Sequence, residues 1–250
     1  MTKQPYVNSE IKKGVGIIEF FHPKSNSMPS SQLKKLAQSF DMLGQNADVK
    51  VILLKSKGER VFCAGASFDQ LLTIDTPEKG KNFFMGFAHV INAMRKCPKI
   101  IVGCIEGKTV GGGVGIVAAC DYSFASQDSS IKLSELSIGI GPFVIEPSVR
   151  RRIGLNAFTE LTLNPTQWRS AKWGKKKGLF HKISNDLQNE SFKFAQKMTH
   201  YSLEASAEIK NVLWKGTENM EALFENRAST SGRLVLSEFT QKILAKIKET

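Results

Sequence analysis

The segment of residues 107–121 constrains the fold most, because it places four glycines within positions 111 to 115, shortly after an apolar run. That run, Ile100–Ile105, is rich in branched residues and has the length of a strand, which predicts a buried strand. The small apolar residues 116–120 predict a buried helix. Glycine loses more chain entropy on folding than other residues, so consecutive glycines indicate backbone that comes very close to another group. A glycine-rich turn that opens a helix presents free N–H groups, which suit a developing negative charge.

The order of the predicted elements indicates an α/β protein. Strands predicted at residues 15–21, 49–56 and 100–105 are separated by segments whose apolar residues recur at helical spacing. Strands that alternate with helices in this way favour parallel pairing. The end of the chain is Lys-rich and helical in pattern. We therefore expect a core at residues 1–190 and a helical region at 191–250.

The composition favours a cytoplasmic protein with an anionic partner. The formal net charge of +12 suits phosphates, acidic cofactors or nucleic acid, although a solvated Lys-rich surface is the commoner cause of such a charge. No run approaches the roughly 20 apolar residues of a membrane span, and the first six residues lack the apolar region of a signal peptide. The four cysteines form no CxxC pair and the four histidines show no ligand spacing. We therefore expect buried thiols and no metal site.

Other motifs in the chain fit known sites less well. Residues 107–109 resemble the end of a phosphate-binding P-loop, but Val102 stands where that motif requires glycine. Residues 113–118 match the GxGxxA form of a dinucleotide fingerprint, with Glu135 about twenty residues on, but an extra loop separates them from the preceding strand. The chain has no GxSxG motif of a serine hydrolase. The Lys-rich run 172–177 is more typical of a solvated helix end than of a nucleic-acid site.

Two glycine-bearing turns, at residues 63–65 and 111–113, remain to be explained, together with the acidic residues of the loop at 134–146. Backbone N–H groups from two different turns can converge on one carbonyl oxygen. A nearby carboxylate can then move a proton at the adjacent carbon. The pattern therefore favours an oxyanion hole that stabilises an enolate.

Residues 15–183 resemble the crotonase, or enoyl-CoA hydratase/isomerase, superfamily. Residues 64–66 match the family's A-G-A-D turn, with Ser67 in place of the Asp. Residues 107–121 match its G-x-x-x-G-G-G-x-x-x-x-x-x-C-D stretch in order and spacing. The P-E-x-x-x-G segment of the family is matched at residues 134–139, with serine in place of the proline. The combination is far more specific than any one of these motifs.

The resemblance implies an α/β fold with a crotonase-like ββα spiral core and a helical C-terminal trimerisation region, and therefore a homotrimer or hexamer. It implies an acyl-CoA thioester as the substrate, with coenzyme A as part of that substrate and no separate cofactor. The oxyanion hole would consist of the backbone N–H groups of Ala64 and Gly112, and Lys24 would meet the CoA phosphates. The other residues that the resemblance places against the substrate are Cys63, Gly65, Ala66, Phe68, Gly111, Gly115, Pro142 and Phe143.

Gly115 is the departure from the family pattern that limits the reaction. Hydratases of the family carry Glu there and a second Glu at the position of Glu135. Addition of water requires a group that activates water and a route that protonates carbon, and two carboxylates supply both. One carboxylate is sufficient to carry a proton between two carbons, as in the single-glutamate isomerases of the family. We therefore expect a Δ3,Δ2-enoyl-CoA isomerase of fatty acid metabolism with Glu135 as the acid/base.

Glu146 leaves a second reaction open. Some family members place another acid at the position of Phe143, and Glu146 lies about one helical turn beyond it. Its carboxylate would either reach the pocket or cap the helix that begins near Pro147. The alternatives are therefore an enoyl-CoA hydratase that uses Glu135 with Glu146 or water, and a non-catalytic acyl-CoA-binding member. RNA binding by the basic surface is a third, but we expect neither nucleic acid nor a membrane as a partner.

Overall fold

The structure is a computed structural model that describes residues 4–58 and 60–248. Its strands are β1 (Tyr6–Lys12), β2 (Val15–Phe21), β3 (Val51–Ser56), β4 (Val61–Cys63), β5 (Ile100–Ile105), β6 (Lys108–Val110), β7 (Tyr122–Ser126), β8 (Ser130–Lys132), β9 (Arg169–Ser170) and β10 (Lys182–Ser184). Its α-helices are α1 (Ser30–Gln45), α2 (Phe68–Leu71), α3 (Pro77–Lys96), α4 (Gly112–Ala119), α5 (Glu146–Leu163), α6 (Ala171–Lys176), α7 (Leu187–Met198), α8 (Leu203–Leu213), α9 (Met220–Leu234) and α10 (Glu238–Lys248). A 3₁₀-helix covers Glu135–Ile138.

Two sheets form the core of the described residues. One has the strand order β1-β2-β3-β5-β7-β10 and the other has the order β4-β6-β8-β9. Neighbouring strands are parallel except at β1–β2 and β8–β9. From β3 to β8, successive strands alternate between the two sheets, and helices follow β4 and β6. This repetition is the ββα spiral that the resemblance implied, so the expected fold class is confirmed.

The middle strands of the larger sheet are buried on both faces, which explains their continuous apolar sequence. Every residue of β5 is buried, as are most residues of β3. Helices α1 and α3 cover one face of this sheet, and α7 covers the other through Leu187 and Ala195. The runs 51–54 and 100–105 contain no polar residue, which is why the sequence predicts strands at these two places.

Two strands of the smaller sheet that lead into the glycine-bearing turns were not predicted from the sequence. No strand was predicted at β4, and the segment of β6 was predicted as part of a loop, whereas each forms a three-residue strand. Three residues are too few to display the alternation by which a strand is recognised. These two strands matter because each leads directly into one of the glycine-bearing turns.

The C-terminal helices pack against the core. The expected boundary between residues 190 and 191 falls inside α7, which packs on the larger sheet. The C-terminal helical region therefore begins after this helix. A buried ion pair attaches α8, since Lys210 Nζ lies 3.0 Å from Asp121 Oδ2 and both side chains are 3% exposed. The indole of Trp214 donates to the other oxygen of Asp121 at 3.2 Å. Helix α9 then lies along α3.

The sequence predicted neither a membrane span nor a metal site, and the structure can be searched for both only within the described residues. Within residues 4–58 and 60–248, no helix is long and apolar enough to cross a membrane, and no group of His, Cys, Asp and Glu has the arrangement of a metal site. Residues 1–3, on which the expectation about a signal peptide partly rests, lie outside the described residues. The four cysteines are free and buried, as expected for small apolar residues in the core.

Candidate active site

The second glycine turn joins β6 to α4, and close contacts explain its glycines. Gly111 has a φ of +53°, which a residue with a side chain rarely adopts. A Cβ at Gly111 would lie 2.9 Å from Glu135 Oε1, and one at Gly112 would overlap the ring of Phe87. The Gly111 N–H donates to the carbonyl of Lys132 on β8 at 3.0 Å. The turn is thus fixed to the smaller sheet with Glu135 directly against its backbone.

The backbone N–H of Gly112 is available to a ligand. Gly112 is the first residue of α4, and the first N–H groups of a helix have no partner within it. No hydrogen bond from this N–H to an acceptor is found in the described part of the chain. Gly112 also lines the cavity described below. The position expected for one oxyanion donor therefore carries a free N–H group that faces a cavity.

The first turn, after β4, has only one N–H group that is similarly free. The N–H of Ala64 donates to the carbonyl of Ser25 at 3.2 Å, and that of Gly65 contacts Cys63 Sγ at 3.4 Å. The N–H of Ala66 has no acceptor among the described residues. Our expectation that Ala64 donates to the substrate conflicts with this geometry, because its N–H is already used. The free donor of this turn belongs to Ala66.

A neighbouring loop, residues 22–28, fixes this turn from the other side. Within the loop, the carbonyl of Ser25 accepts from Ala64, the N–H of Met28 donates to the carbonyl of Gly65 at 2.8 Å, and the carbonyl of Met28 accepts from Ser67 at 3.2 Å. These bonds leave the Ala66 N–H directed away from the loop. The loop therefore determines which amide of the turn is free.

Asn26 holds that loop in an unusual backbone conformation. Ser25 and Asn26 have φ values of +51° and +53°, and Asn26 is 3% exposed. The Asn26 amide nitrogen donates to the carbonyls of Lys57 and Val61 at 3.0 and 2.8 Å, and its oxygen accepts from the His22 N–H at 2.8 Å. These three bonds stabilise two consecutive left-handed residues, which are otherwise unfavourable. Nothing in the local sequence marks this role of Asn26, so it could not be predicted.

The two turns meet at a central cavity of about 160 Å³. A Cβ at Gly65, whose φ is +88°, would lie 3.0 Å from the carbonyl oxygen of Val110 and 3.7 Å from the Gly112 nitrogen. Of the residues named from the sequence, those that line the cavity are Ala64, Gly65, Ala66, Phe68, Gly111, Gly112, Glu135, Pro142 and Phe143. The lining residues that the sequence analysis missed are Leu71, Phe84, Phe87, Val110, Ser134, Ile138, Ile140, Gly141, Val144, Ile145 and Ser231.

Glu135 is the one ionisable side chain among the described residues that line this cavity. It begins the 3₁₀-helix, and its Oε2 is buried with no hydrogen-bond partner in the described residues. Burial disfavours the charged carboxylate and raises the pKa of Glu135 to about 7. A carboxyl group with such a pKa can both accept and return a proton near neutral pH.

Gly115 lies behind the cavity wall and does not line it. A Cβ at this position would lie 2.7 Å from the Cβ of Ile145 and would also overlap its Cγ2 methyl group. Ile145 is 3% exposed and does line the cavity. The space in which a side chain at 115 would project is therefore filled by Ile145, and the cavity wall there is apolar.

Glu146 also lies outside the cavity lining. Its two carboxylate oxygens lie 3.4 Å from guanidinium nitrogens of Arg150 and Arg227, so it links α5 to α9. Its backbone N–H donates to the carbonyl of Pro142 at the start of α5. The structure thus separates Glu146 from Glu135 in role: the first is an ion-pair partner, and the second faces the cavity alone.

Lys24 and Cys63 are near the site without lining the cavity. Lys24 Nζ lies 2.5 Å from Asp69 Oδ2, and both side chains are about two-thirds exposed. Asp69 follows Phe68, which lines the cavity, so the ion pair lies close to its rim. Cys63 is fully buried behind the first turn, and burial raises the pKa of its thiol to about 12. A thiol in this state packs as an apolar side chain.

The same sequence is similar to known enzymes along most of its length. Residues 10–243 match the family model for enoyl-CoA hydratase/isomerase. The chain is 26% identical over 242 residues to the peroxisomal Delta(3,5)-Delta(2,4)-dienoyl-CoA isomerase of Arabidopsis thaliana. The aligned region covers 87% of this chain and 85% of that protein. It is 25% identical over 188 residues to the short-chain-enoyl-CoA hydratase of Clostridium acetobutylicum, with coverage of 74% and 71%. The chain spans only about half the length, or less, of several other curated relatives that it matches.

A solved structure shares the fold. The crystal structure of an enoyl-CoA hydratase from Bacillus halodurans superposes with a TM-score of 0.89 at 20% identity and covers 96% of this chain and 99% of that chain. At that identity the likeness concerns the arrangement of the backbone. It agrees with the two-sheet spiral and with helices α8–α10 as an integral part of the fold.

Proposed function

The chain belongs to the enoyl-CoA hydratase/isomerase family, and we propose from this premise that it isomerises the double bond of a 3-enoyl-CoA to give a 2-enoyl-CoA. The observation that carries the proposal is the environment of Glu135. Among the residues that the structure describes, it is the single carboxylate in an apolar cavity, and it lies beside two turns with free N–H groups. Such a site has one proton carrier and one place for negative charge, which is what the transfer of a proton between two carbons requires.

In the proposed reaction, the thioester oxygen accepts hydrogen bonds from the N–H groups of Ala66 and Gly112. Glu135 removes a proton from C2, and the electron pair spreads through the 3,4-double bond and the carbonyl to give a dienolate. The two N–H groups stabilise the oxygen as it takes on charge; in other enzymes, the loss of one such donor costs about 2.7–4 kcal/mol of transition-state stabilisation. Glu135 then returns the proton to C4, which leaves the double bond between C2 and C3 and restores the carboxylate.

The apolar wall favours isomerisation over hydration. A hydratase must hold and activate a water molecule, and this needs polar groups besides the proton donor. Among the described lining residues, the polar side chains besides Glu135 are those of Ser134 and Ser231, and Ile145 fills the space before Gly115. Ser231 Oγ donates to the Arg227 carbonyl at 3.2 Å. The wall therefore offers little to bind a reactive water.

Coenzyme A is part of the proposed substrate, and we propose no resident cofactor. Lys24 would exchange Asp69 for a CoA phosphate, in keeping with the net charge of +12 of the chain. We further propose a homotrimer or a hexamer, by analogy with the family. Light scattering after gel filtration tests this, since a trimer has three times the 27.7 kDa mass of the chain.

Two substrates distinguish the candidate reactions. A purified chain incubated with a 3-enoyl-CoA should yield the 2-enoyl-CoA, seen by the absorbance of the conjugated thioester, and should add no water to a 2-enoyl-CoA. Hydration of the 2-enoyl-CoA without turnover of the 3-enoyl-CoA would instead identify a hydratase. Binding of both without turnover would identify a non-catalytic acyl-CoA-binding protein.

A further inference from the structure

The central cavity lies between two apolar clusters. Phe87, Val144 and Ile145 belong to the main core, whereas Leu71 and Ile140 belong to a separate cluster that also contains residues of α10 and of the segment between α9 and α10. We call the second one the cap cluster; its buried members are Leu71, Ile74, Phe83, Ile140, Val235 and Leu244. Phe84 and Ala66 pack against both clusters. The C-terminal helices thus close the cavity against the core.

The contact between α3 and α9 holds this closure in place. A Cβ at Gly80 would lie 2.7 Å from the Cα of Gly232, so the two helices touch backbone to backbone. Ser231, next to Gly232, lines the cavity and is 1% exposed. An ion pair between Lys81 Nζ and Glu225 at 2.7 Å joins the same helices. With the backbones in contact, an alkyl chain cannot pass between α3 and α9 unless they separate.

The volume sets how much of a ligand the cavity holds. An apolar cavity of about 150 Å³ accommodates benzene, which has six heavy atoms, and the cavity here has about 160 Å³. Because the free N–H groups and Glu135 line this same cavity, it must also contain the thioester carbonyl. Six heavy atoms correspond to about five acyl carbons and the carbonyl oxygen.

We propose that the site takes short, unfunctionalised aliphatic acyl-CoA thioesters of about five carbons, and that Phe84 and Leu71 limit the chain length. This rests on the proposed function for the reaction, but the size limit applies to any acyl thioester. The lining also restricts the chemistry of the acyl group. No cation lines the described part of the cavity, so a second carboxylate on the ligand would be buried without a partner, which is strongly unfavourable.

A chain-length series tests the size limit with the wild-type chain. We expect kcat/KM for 3-decenoyl-CoA to be at least about tenfold below that for 3-pentenoyl-CoA, since a single methylene in a hydrophobic pocket changes this ratio about 10- to 200-fold. Equal or faster turnover of the decenoyl substrate would overturn the proposal while leaving the isomerase function intact.

A binding measurement keeps the size limit testable if no 3-enoyl-CoA reacts, a result that counts against the proposed function. Calorimetric titration with saturated pentanoyl-CoA and decanoyl-CoA requires no chemistry. We expect decanoyl-CoA to bind at least about tenfold more weakly, because its chain exceeds the cavity. Equal or tighter binding of decanoyl-CoA would overturn the size limit, whatever the outcome of the turnover assay.

Two variants test the residues that form the wall. Phe84→Ala should raise kcat/KM for 3-decenoyl-CoA relative to 3-pentenoyl-CoA by about tenfold. Met85→Ala is the matched control, because Met85 is the next residue of α3, is also partly buried and does not line the cavity. Leu71→Ala is the second variant if Phe84→Ala does not fold. An unchanged ratio in each folded variant would overturn the assignment of these residues as the limit.

Discussion

Two glutamates eleven positions apart, Glu135 and Glu146, have opposite surroundings. Glu135 faces an apolar cavity, its Oε2 has no hydrogen-bond partner among the described residues, and burial raises its pKa to about 7. Glu146 lies outside that cavity, against Arg150 and Arg227. A carboxylate that is paired serves the fold, whereas one that is buried without a partner costs stability and is suited to proton transfer. The contrast shows that two carboxylates of one loop can differ in chemical environment because of the segments packed against them.

The largest effect should come from removing the cavity carboxylate. Glu135→Gln is expected to lower kcat by about 100- to 10,000-fold, because an amide cannot carry the proton that general acid–base catalysis transfers. Binding of a saturated acyl-CoA should persist, since the N–H groups of both turns remain. Steady-state kinetics and calorimetry measure the two quantities. Unchanged turnover would remove Glu135 from the reaction.

A second change tests whether Ile145 closes the cavity wall in front of Gly115. Gly115→Glu is expected to lower the free energy of unfolding by about 3 kcal/mol, because its side chain overlaps Ile145 in a packed core. The double variant with Ile145→Ala should recover part of this loss. Urea unfolding followed by circular dichroism measures both. A fully stable single variant would mean that space for a second carboxylate exists.

The third prediction concerns the pH dependence that Glu135 alone should confer. Its pKa is raised from 4.5 to about 7 in the folded protein, so the native state binds more protons than the unfolded state between these values. Stability therefore falls as pH rises through this window, by up to about 3 kcal/mol, and the loss is complete above pH 7. Urea unfolding at pH 4, 5.5 and 8 should show that the wild type loses more stability than Glu135→Gln as the pH rises. Equal losses of stability in the two proteins would contradict this prediction.

The same protonation should control turnover. In the proposed reaction the charged form of Glu135 is the base, so kcat/KM should rise with pH through about 7 and then level off. A profile that is flat between pH 5 and 8 would show that a different group accepts the proton. Glu146→Gln serves as the control and should leave the shape of this profile unchanged.

A smaller effect is expected from a change at Asn26, which stabilises the loop that leaves the Ala66 N–H free. Asn26→Ala should lower kcat by about tenfold with little change in KM, since a displaced donor weakens transition-state stabilisation more than binding. Gln32→Ala is the matched control, because its buried amide also donates to two carbonyls, those of Phe21 and Tyr6, away from the turn. Both should lose about 1–3 kcal/mol of stability. An equal kcat for the two variants would reduce Asn26 to a purely structural residue.

The smallest effect should come from the paired glutamate. Glu146→Gln is expected to change kcat and KM less than about twofold and to lower the free energy of unfolding by about 0.5 kcal/mol, as for a partly exposed ion pair. Kinetics of isomerisation and urea unfolding are the measurements. A large loss of turnover would place Glu146 in the reaction and would return the two-carboxylate hydratase to consideration.

The sequence predicted the central parts of the site because the contacts made there restrict residue type, and that restriction is visible along a single segment. The glycines of the second turn reflect close contacts with Glu135 and Phe87, and only glycine satisfies them. The buried strand before that turn is continuously apolar because both faces of the sheet are covered. The short strands β4 and β6 could not be identified, since three residues carry no readable period.

The amino-acid sequence by itself determined the α/β class and the second glycine turn, because these depend on residue type and spacing along the chain. The ββα spiral and the choice of Glu135 as the base came from the family resemblance, which left Glu146 open as a second acid. Tertiary structure decided which amide of the first turn is free, since the loop of Asn26 engages Ala64 and leaves Ala66. It also decided that Glu146 is paired by Arg227 from α9, and that Ile145 fills the space before Gly115. Each of these outcomes depends on a contact between segments distant in sequence, and a pattern along one segment contains no information about its partner.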